Sequence, residues 1–397
     1  MTERTDAFVR EVQEAMEKII SFWTGKMADP RGGFYGRMDG NGNIETDAPK
    51  GVILNARILW ALSAAYRVTK KQEYLLAATR AKDYFIEHFF DHKYGGVYWT
   101  LDATSTRLDT HKQAYAQGFA IYAISEYVRA TKDQSALRFA QNLYLTIEKN
   151  MVDSVDGGYI EAKARDWSDQ EDMRLSEKED NWAKSFNTHL HILEPYTNLY
   201  RVWPDPRVRA SIIKLLNIFT DKIYNPVTGH FNLFFDKQWN SPDYGCSYGH
   251  EVEAGWLMLE AAFKVGDIDL INKVRPVAEA AVAAGMTGFQ PDGSLIYECH
   301  ADGSIDTDRH WWVQAETVVA NLWIWKYTGD PQAVKKALRC WDYIKSHLVS
   351  DCGEWFWRCS ADGKPYPEDD LAGLWKCPYH NTRMCTEVLH ILKHQAL

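Results

Sequence analysis

The sequence predicts an all-α fold, an (α/α)6 barrel of six inner and six outer helices with short β-hairpins at one end. Three observations carry that expectation. A glycine turn running into an aromatic or aliphatic strand recurs six times, about 64 residues apart, which marks one supersecondary unit copied around an axis. Two helical patterns lie between consecutive turns, one amphipathic and one apolar nearly all round. A polar cluster, often bearing histidine, opens each apolar pattern in equivalent register.

The turns are Gly32-Gly33-Phe34-Tyr35, Gly95-Gly96-Val97-Tyr98, Gly157-Gly158-Tyr159-Ile160, Gly229-His230-Phe231, Gly293-Ser294-Leu295 and Gly353-Glu354-Trp355. The amphipathic patterns predict outer helices over 6–23, 74–90, 135–150, 206–224, 270–284 and 331–348. In the first, Phe8, Val12, Met16, Ile19 and Ile20 fall three or four apart, as a half-buried helix requires. Asp205-Pro206 and Asp330-Pro331 read as helix caps with proline in the first helical position. The apolar patterns predict inner helices over 56–66, 116–128, 190–200, 252–263, 313–327 and 384–392, since a helix without a polar face is buried on every side. Asp39-Gly40-Asn41-Gly42, Ala301-Asp302-Gly303 and Ala361-Asp362-Gly363 are hairpin loops, expected where outer helices cross to inner ones. Each unit needs its neighbours to bury its apolar face, so residues 1–397 read as one catalytic domain. An open helical solenoid is the rival architecture. Six repeats without polar end units favour a closed ring.

Composition narrows the function classes. The balance of 45 basic and 54 acidic residues, −9 overall, argues against nucleic acid or an anionic membrane as partner. Seven cysteines without a C-x-x-C pair read as reduced thiols. Residues 2–22 carry charges at every turn, unlike a secretory leader, and no run of 18 apolar residues occurs. These features predict a soluble, cytoplasmic protein. Most of the 16 tryptophans and 21 tyrosines fill a wide core, but those in the polar clusters also offer flat faces to sugar rings.

The clusters are Asn55 and Arg57; Lys112, Tyr115 and Gln117; Asn187, His189 and His191; His250, Glu251 and Glu253; His310, Trp312 and Glu316; and Trp375, Tyr379, His380, Asn381 and Arg383. Five of the 13 histidines lie there, and in a closed ring they face one cavity. Two imidazoles near neutrality can trade protons with a carbon acid. Arg57 keeps its proton and suits a developing oxyanion. Glu253, three residues after His250, is placed to orient that ring or handle a hydroxyl proton. His189 and His191 are two apart, so at most one points inward. Three histidines with a carboxylate would also suit zinc, but no H-E-x-x-H or H-x-x-E-H spacing occurs, so no metal is expected. Paired carboxylates would suit a glycosidase, yet the clusters are richer in histidine than in aspartate.

From Trp23 to His390 the chain resembles the cellobiose 2-epimerases of the N-acylglucosamine 2-epimerase superfamily. The resemblance lies in Gly51-Val-Ile-Leu-Asn-Ala-Arg57, Asn187-Thr-His-Leu-His191, Tyr248-Gly-His-Glu-Val-Glu253, Asp306-Thr-Asp-Arg-His-Trp-Trp312 and Trp375-Lys-Cys-Pro-Tyr-His380. Cys377 stands where glycine is expected, a slight change to a loop on which nothing essential should depend. The resemblance implies an (α/α)6 barrel that interconverts glucose and mannose, without a cofactor, at the reducing end of β-1,4-linked disaccharides. Cellobiose would become glucosyl-mannose, and lactose would become epilactose. It implies that His250 and His380 are the acid/base pair and that His191 opens and closes the sugar ring. Arg57, Tyr115, Asn187, Glu253, Trp312, Glu316 and Trp375 would line the substrate. The nearest alternatives are an aldose–ketose isomerase acting on mannose and an epimerase of N-acetylglucosamine. A sugar-binding protein that has lost the reaction is a third, against which the complete set of three histidines and Arg57 stands.

Overall fold

The amphipathic stretches fold into helices whose apolar stripes face inward, as α1 shows: Phe8, Val12, Met16, Ile19, Ile20 and Trp23 are buried along one side. The structure, a computed structural model, describes residues 3–177, 179–242 and 245–393. Among these the outer helices are α1 (Glu3–Gly25), α3 (Gln72–Tyr84), α5 (Gln134–Asn150), α7 (Pro206–Ile218), α9 (Ile268–Gly285) and α11 (Pro331–Tyr343). The inner helices are α2 (Val52–Thr69), α4 (Ala114–Thr131), α6 (Phe186–Val202), α8 (Tyr248–Val265), α10 (Trp311–Thr328) and α12 (Tyr379–Lys393).

Each inner helix packs on the next, α2 on α4 and so on to α12, and α12 returns to α2. That last contact closes the ring and excludes the open solenoid. Each outer helix backs the inner helix before it, with α1 against α12. The inner helices begin earlier than the apolar pattern suggested, because the polar clusters form their first turns. Asp205 and Asp330 cap α7 and α11 as expected, accepting from Arg207 N at 2.8 Å and Gln332 N at 2.9 Å. Outer helices α3, α7 and α11 finish in one wider π-type turn, Phe85–Phe89, Phe219–Ile223 and Ile344–Leu348.

The glycine turns follow the outer helices as tight hairpins, with Phe90 paired to Val97 and Val152 to Tyr159. Gly96 and Gly158 have φ of 73° and 81°, the left-handed region that favours glycine. A two-residue strand then leads into an inner helix and pairs with the next unit's hairpin. Lys50–Gly51 lies on Thr100–Leu101, Lys112–Gln113 on Ala162–Lys163, Lys184–Ser185 on Phe234–Phe235, and Arg309–His310 on Arg358–Cys359. Met38 bridges Ala372 and carries the stitching across the point where the ring closes.

A buried cation recurs just ahead of the inner helices. Lys50 pairs with Asp29 at 2.7 Å, Lys112 with Asp91 at 3.1 Å, Lys184 with Asp153 at 2.8 Å and Lys376 with Glu354 at 2.9 Å. Each lysine is buried, so its partner answers a large desolvation cost. Lys112, grouped by sequence with the cavity residues, belongs to this scaffold. Cys246 takes the equivalent place before α8 and pairs across the strands with Cys299. The seven cysteines are all free thiols. No helix among the described residues is long and apolar enough to cross a membrane.

Candidate active site

With 3.6 residues per turn, the second and sixth residues of a helix share a face and the fourth points away. That geometry sorts the clusters. The fourth residues face the preceding glycine hairpin and satisfy the strand that leaves it. Gln117 Oε1 accepts from Val97 N at 2.7 Å, and Gln314 Oε1 from Leu295 N at 2.8 Å. Glu251 Oε1 accepts from Phe231 N at 2.9 Å, and His189 Nε2 from Tyr159 N at 3.0 Å. His189 Nδ1 donates to the Ser185 carbonyl at 2.7 Å, so both ring nitrogens serve the backbone. His189 is therefore the histidine of its pair that turns away.

The second and sixth residues face the ring's centre: Tyr115, Asn187, Trp312 and His380, then Arg57, Phe119, His191, Glu253 and Glu316. They meet across the ring. Arg383 on α12 donates through Nη1 to Glu194 on α6, the opposite inner helix, and Tyr379 Oη donates to the same oxygen. Arg383 Nη2 donates to Glu253 at 2.5 Å and to Glu316 at 2.6 Å. Pro195 offers no N–H to the His191 carbonyl, and Gly118 packs there so closely that a Cβ would lie 2.3 Å from that oxygen.

Each of the three expected catalytic histidines has Nδ1 engaged. His380 Nδ1 lies 2.7 Å from Glu316 Oε1, and His191 Nδ1 lies 3.0 Å from Glu194 Oε2. A carboxylate only accepts, so both Nδ1 atoms carry the proton and Nε2 keeps its lone pair. His250 Nδ1 is held by Ser247 Oγ at 2.9 Å. His250 and His380 pack on one indole, that of Trp312, with ring centroids 4.7 and 5.6 Å away. Gly249 makes room for that indole, since a Cβ there would meet it at 2.7 Å.

Burial favours the neutral form of all three imidazoles. It pushes His250 down to about 3, with the nearby His191 acting in the same direction. Burial, then Arg57 and Arg383, hold His380 well below the ordinary histidine range, and burial lowers His191 against the pull of Glu194. Burial and the adjacent Glu316 raise Glu253 to about 8 despite its bond to Arg383. Burial also acts to raise Glu194, but Arg383 and His191 outweigh it and leave that carboxyl below its usual value.

Arg57 is 3% exposed, and its hydrogen-bond partners among the described residues are a thiol and a phenol, with no carboxylate. Nη2 donates to Tyr115 Oη at 2.7 Å, and the guanidinium lies over the rings of Phe119 and Tyr379 at 4.2 and 4.9 Å. Its Nη1 lies 3.6 Å from Cys377 Sγ. Cys377 is thus a direct neighbour of the buried cation, a contact that the expected slight change of loop did not include.

One expectation is corrected: Glu253 does not orient His250; Ser247 does, and Glu253 is turned to Arg383. Glu316 has both carboxylate oxygens engaged by the protein. Its Oε1 accepts from His380 and Arg383, and its Oε2 accepts from Trp256 Nε1 at 2.9 Å. By contrast, Asn187 Oδ1 and Glu253 Oε2 are buried without a partner among the described residues. Such acceptors are destabilising by about 1–3 kcal/mol each when left unmet, and a bound hydroxyl would answer them. Trp375 is half-buried, its ring 5.9 Å from Tyr115 and 6.0 Å from Trp99. Sequence reasoning missed Glu194 and Ser247. Glu194 had a signal: a carboxylate three residues after His191 in an otherwise apolar stretch.

Glu253, Glu316 and His380 bring ligand atoms within 4.8 Å of one another, as do Asp306, Asp308 and His310. In the first group Arg383 already supplies the positive charge between the carboxylates. In the second, Asp308 is taken by Arg358 at 2.8 Å and Tyr366 at 3.0 Å. A separate cleft of about 1060 Å³, bordered by Glu14, Glu17, Lys18, Lys71 and Lys345, contains no histidine and lies on the outer surface.

Comparison with known proteins bears on this geometry. Residues 33–383 match the model of the N-acylglucosamine 2-epimerase (GlcNAc 2-epimerase) family. The chain is 50% identical over 380 residues to a cellobiose 2-epimerase of Bacteroides fragilis, covering 95% of this chain and 97% of that protein. It is 36% identical over 379 residues to a cellobiose 2-epimerase of Ruminococcus albus, again covering 95% and 97%. The solved structure of cellobiose 2-epimerase from Bacillus thermoamylovorans superposes with a TM-score of 0.92 at 39% identity, over 98% of this chain and all of that one.

Proposed function

This chain belongs to the N-acylglucosamine 2-epimerase family, and on that footing we propose that it is a carbohydrate epimerase, an isomerase that needs no cofactor. Its substrates are β-1,4-linked disaccharides whose reducing-end sugar is inverted at C2. Cellobiose becomes glucosyl-mannose and lactose becomes epilactose. Residues 1–397 act as one catalytic unit.

The chemistry sets the order of events. A closed pyranose has no carbonyl, so its C2 proton is not acidic. His191 moves a proton between O1 and O5 and opens the ring. One of His250 and His380 then takes the C2 proton through Nε2, giving a cis-enediolate. Arg57 meets the charge that develops on oxygen, in a site where a pre-set donor acts in low dielectric. The other imidazole returns a proton to the opposite face of C2. General acid–base help of this kind contributes roughly 10²–10⁴-fold. Trp312 lies under the reducing sugar, Trp375 stacks on the second, and Asn187, Tyr115 and Glu253 meet hydroxyls.

One observation supports this reading above the others: His250 and His380 pack on the same indole with Nδ1 tied and, among the described residues, no hydrogen bond at Nε2. Incubation of cellobiose with the enzyme in deuterated water tests it. Deuterium should enter C2 of the reducing sugar as glucosyl-mannose forms, and His250→Asn and His380→Asn should each abolish both. Either variant retaining near-normal epimerisation and labelling would break the assignment. Mannose converted chiefly to fructose, with cellobiose untouched, would assign an aldose–ketose isomerase instead.

A further inference from the structure

We propose that Arg383 is a positioning residue that couples His191 to His380 by gripping the carboxylate behind each imidazole. The proposal rests on the epimerase reading for its meaning, since those imidazoles serve its two stages, ring opening and proton exchange at C2.

The path is continuous. His191 Nδ1 donates to Glu194, whose other oxygen accepts from Arg383 Nη1. Arg383 Nη2 donates to Glu316 Oε1, the atom that accepts from His380 Nδ1. His191 and His380 stand on opposite inner helices, and every link between them is buried. Only a planar fork with two separated Nη atoms can serve carboxylates from α6, α8 and α10 together; an ammonium is a point charge. The guanidinium plane is fixed between aromatic faces, 4.4 Å from the Tyr379 ring and 4.9 Å from Trp256. Arg383 follows His380 by three residues on one helix, so a single rigid turn presents both the imidazole and the clamp.

Without this cation, Glu194 and Glu316 would lie buried with no positive charge between them, beside a Glu253 that burial and Glu316 already raise to about 8. A protonated Glu316 would no longer hold the His380 Nδ1–H, and the ring would lose its fixed tautomer. The same holds for Glu194 and His191. A change behind one imidazole therefore reaches the other through the guanidinium, although the rings share no bond.

The test is nuclear magnetic resonance of the sugar-free enzyme carrying ¹⁵N-labelled histidine, where ring-nitrogen shifts report the tautomer. His191→Asn and His380→Asn assign the two signals by their disappearance. In Glu194→Gln the His380 nitrogens should shift as well as those of His191, and in Glu316→Gln the His191 nitrogens should shift as well as those of His380. Arg383→Lys should perturb both rings while melting cooperatively. It should also slow anomer interconversion of cellobiose and deuterium entry at C2, the latter by on the order of 10²-fold. Carboxamide variants that alter only the adjacent imidazole would overturn the coupling. So would an Arg383→Lys enzyme with both rings unchanged. Because the spectra need no substrate, they stand apart from the functional reading, whose own failure would be a wild-type enzyme that leaves C2 of cellobiose unlabelled.

Discussion

Arg57 Nη1 lies 3.6 Å from the Sγ of Cys377, and this contact with a thiol stands where a buried arginine ordinarily meets a carboxylate. A guanidinium already neutralised by the protein has little left for an oxyanion. One held by a phenol, a thiol and two aromatic faces keeps its charge available.

Replacing the thiol with an acid should therefore be worse than removing it. Cys377→Asp should lower kcat on cellobiose by on the order of 10²-fold, because the new carboxylate pairs with Arg57 before the enediolate forms. Cys377→Ser and Cys377→Gly should stay within about tenfold of the wild type, and all three should melt cooperatively. Kinetics with circular dichroism melting checks this. An aspartate variant as active as the serine variant would show that Arg57 carries no such charge.

His189 and His191 are two residues apart in one helix and should respond oppositely to the same change. His189→Gln should retain stability and turnover, because Gln117 and Gln314 perform the same task at equivalent positions. His189→Ala should be destabilising by about 1–3 kcal/mol through the unmet Tyr159 N–H, while the folded fraction keeps its activity. His191→Gln should fold normally and lose turnover. Chemical denaturation paired with rate measurement separates the two outcomes.

The pH dependence of stability has a defined sign. Burial holds His250 at about 3 in the folded protein against 6.5 for an unperturbed histidine, with His191 adding to the effect and Glu316 opposing it. Between those values the unfolded chain binds a proton that the folded chain does not, so stability falls as pH falls through that window. The melting temperature of His250→Gln should decline less steeply than that of wild type from pH 6.5 towards 4. Parallel curves would mean that the folded state does not depress this imidazole.

Trp375 should matter to disaccharides far more than to monosaccharides. Trp375→Ala should raise KM for cellobiose roughly tenfold and leave monosaccharide turnover little changed, as loss of one stacking face predicts. An equal loss on both would give the indole a purely structural role.

The repeat, the alternation of helix types and the closed ring were legible in the chain, because burial writes a 3.6-residue period into sequence. The Asp-Pro caps at Asp205 and Asp330 were legible for the same local reason. Helix starts were less so, since Tyr115, His250 and His380 are polar residues inside first turns that the apolar pattern passed over. Lys112 groups by sequence with the cavity charges and Lys50 and Lys184 draw no reading, because their buried partners sit about 21 to 31 residues back on the preceding hairpin.

Within the cluster residues, sequence alone determined which side chains share an inner-helix opening, because neighbours in the chain are neighbours on a helix. Only the tertiary structure decided their partners. Glu194 and Arg383 lie on opposite inner helices, 189 positions apart in the chain, and meet because the ring closes. Ser247 instead of Glu253 holds His250, and Cys377 reaches Arg57, because strand entry and loop return set directions that no residue spacing encodes.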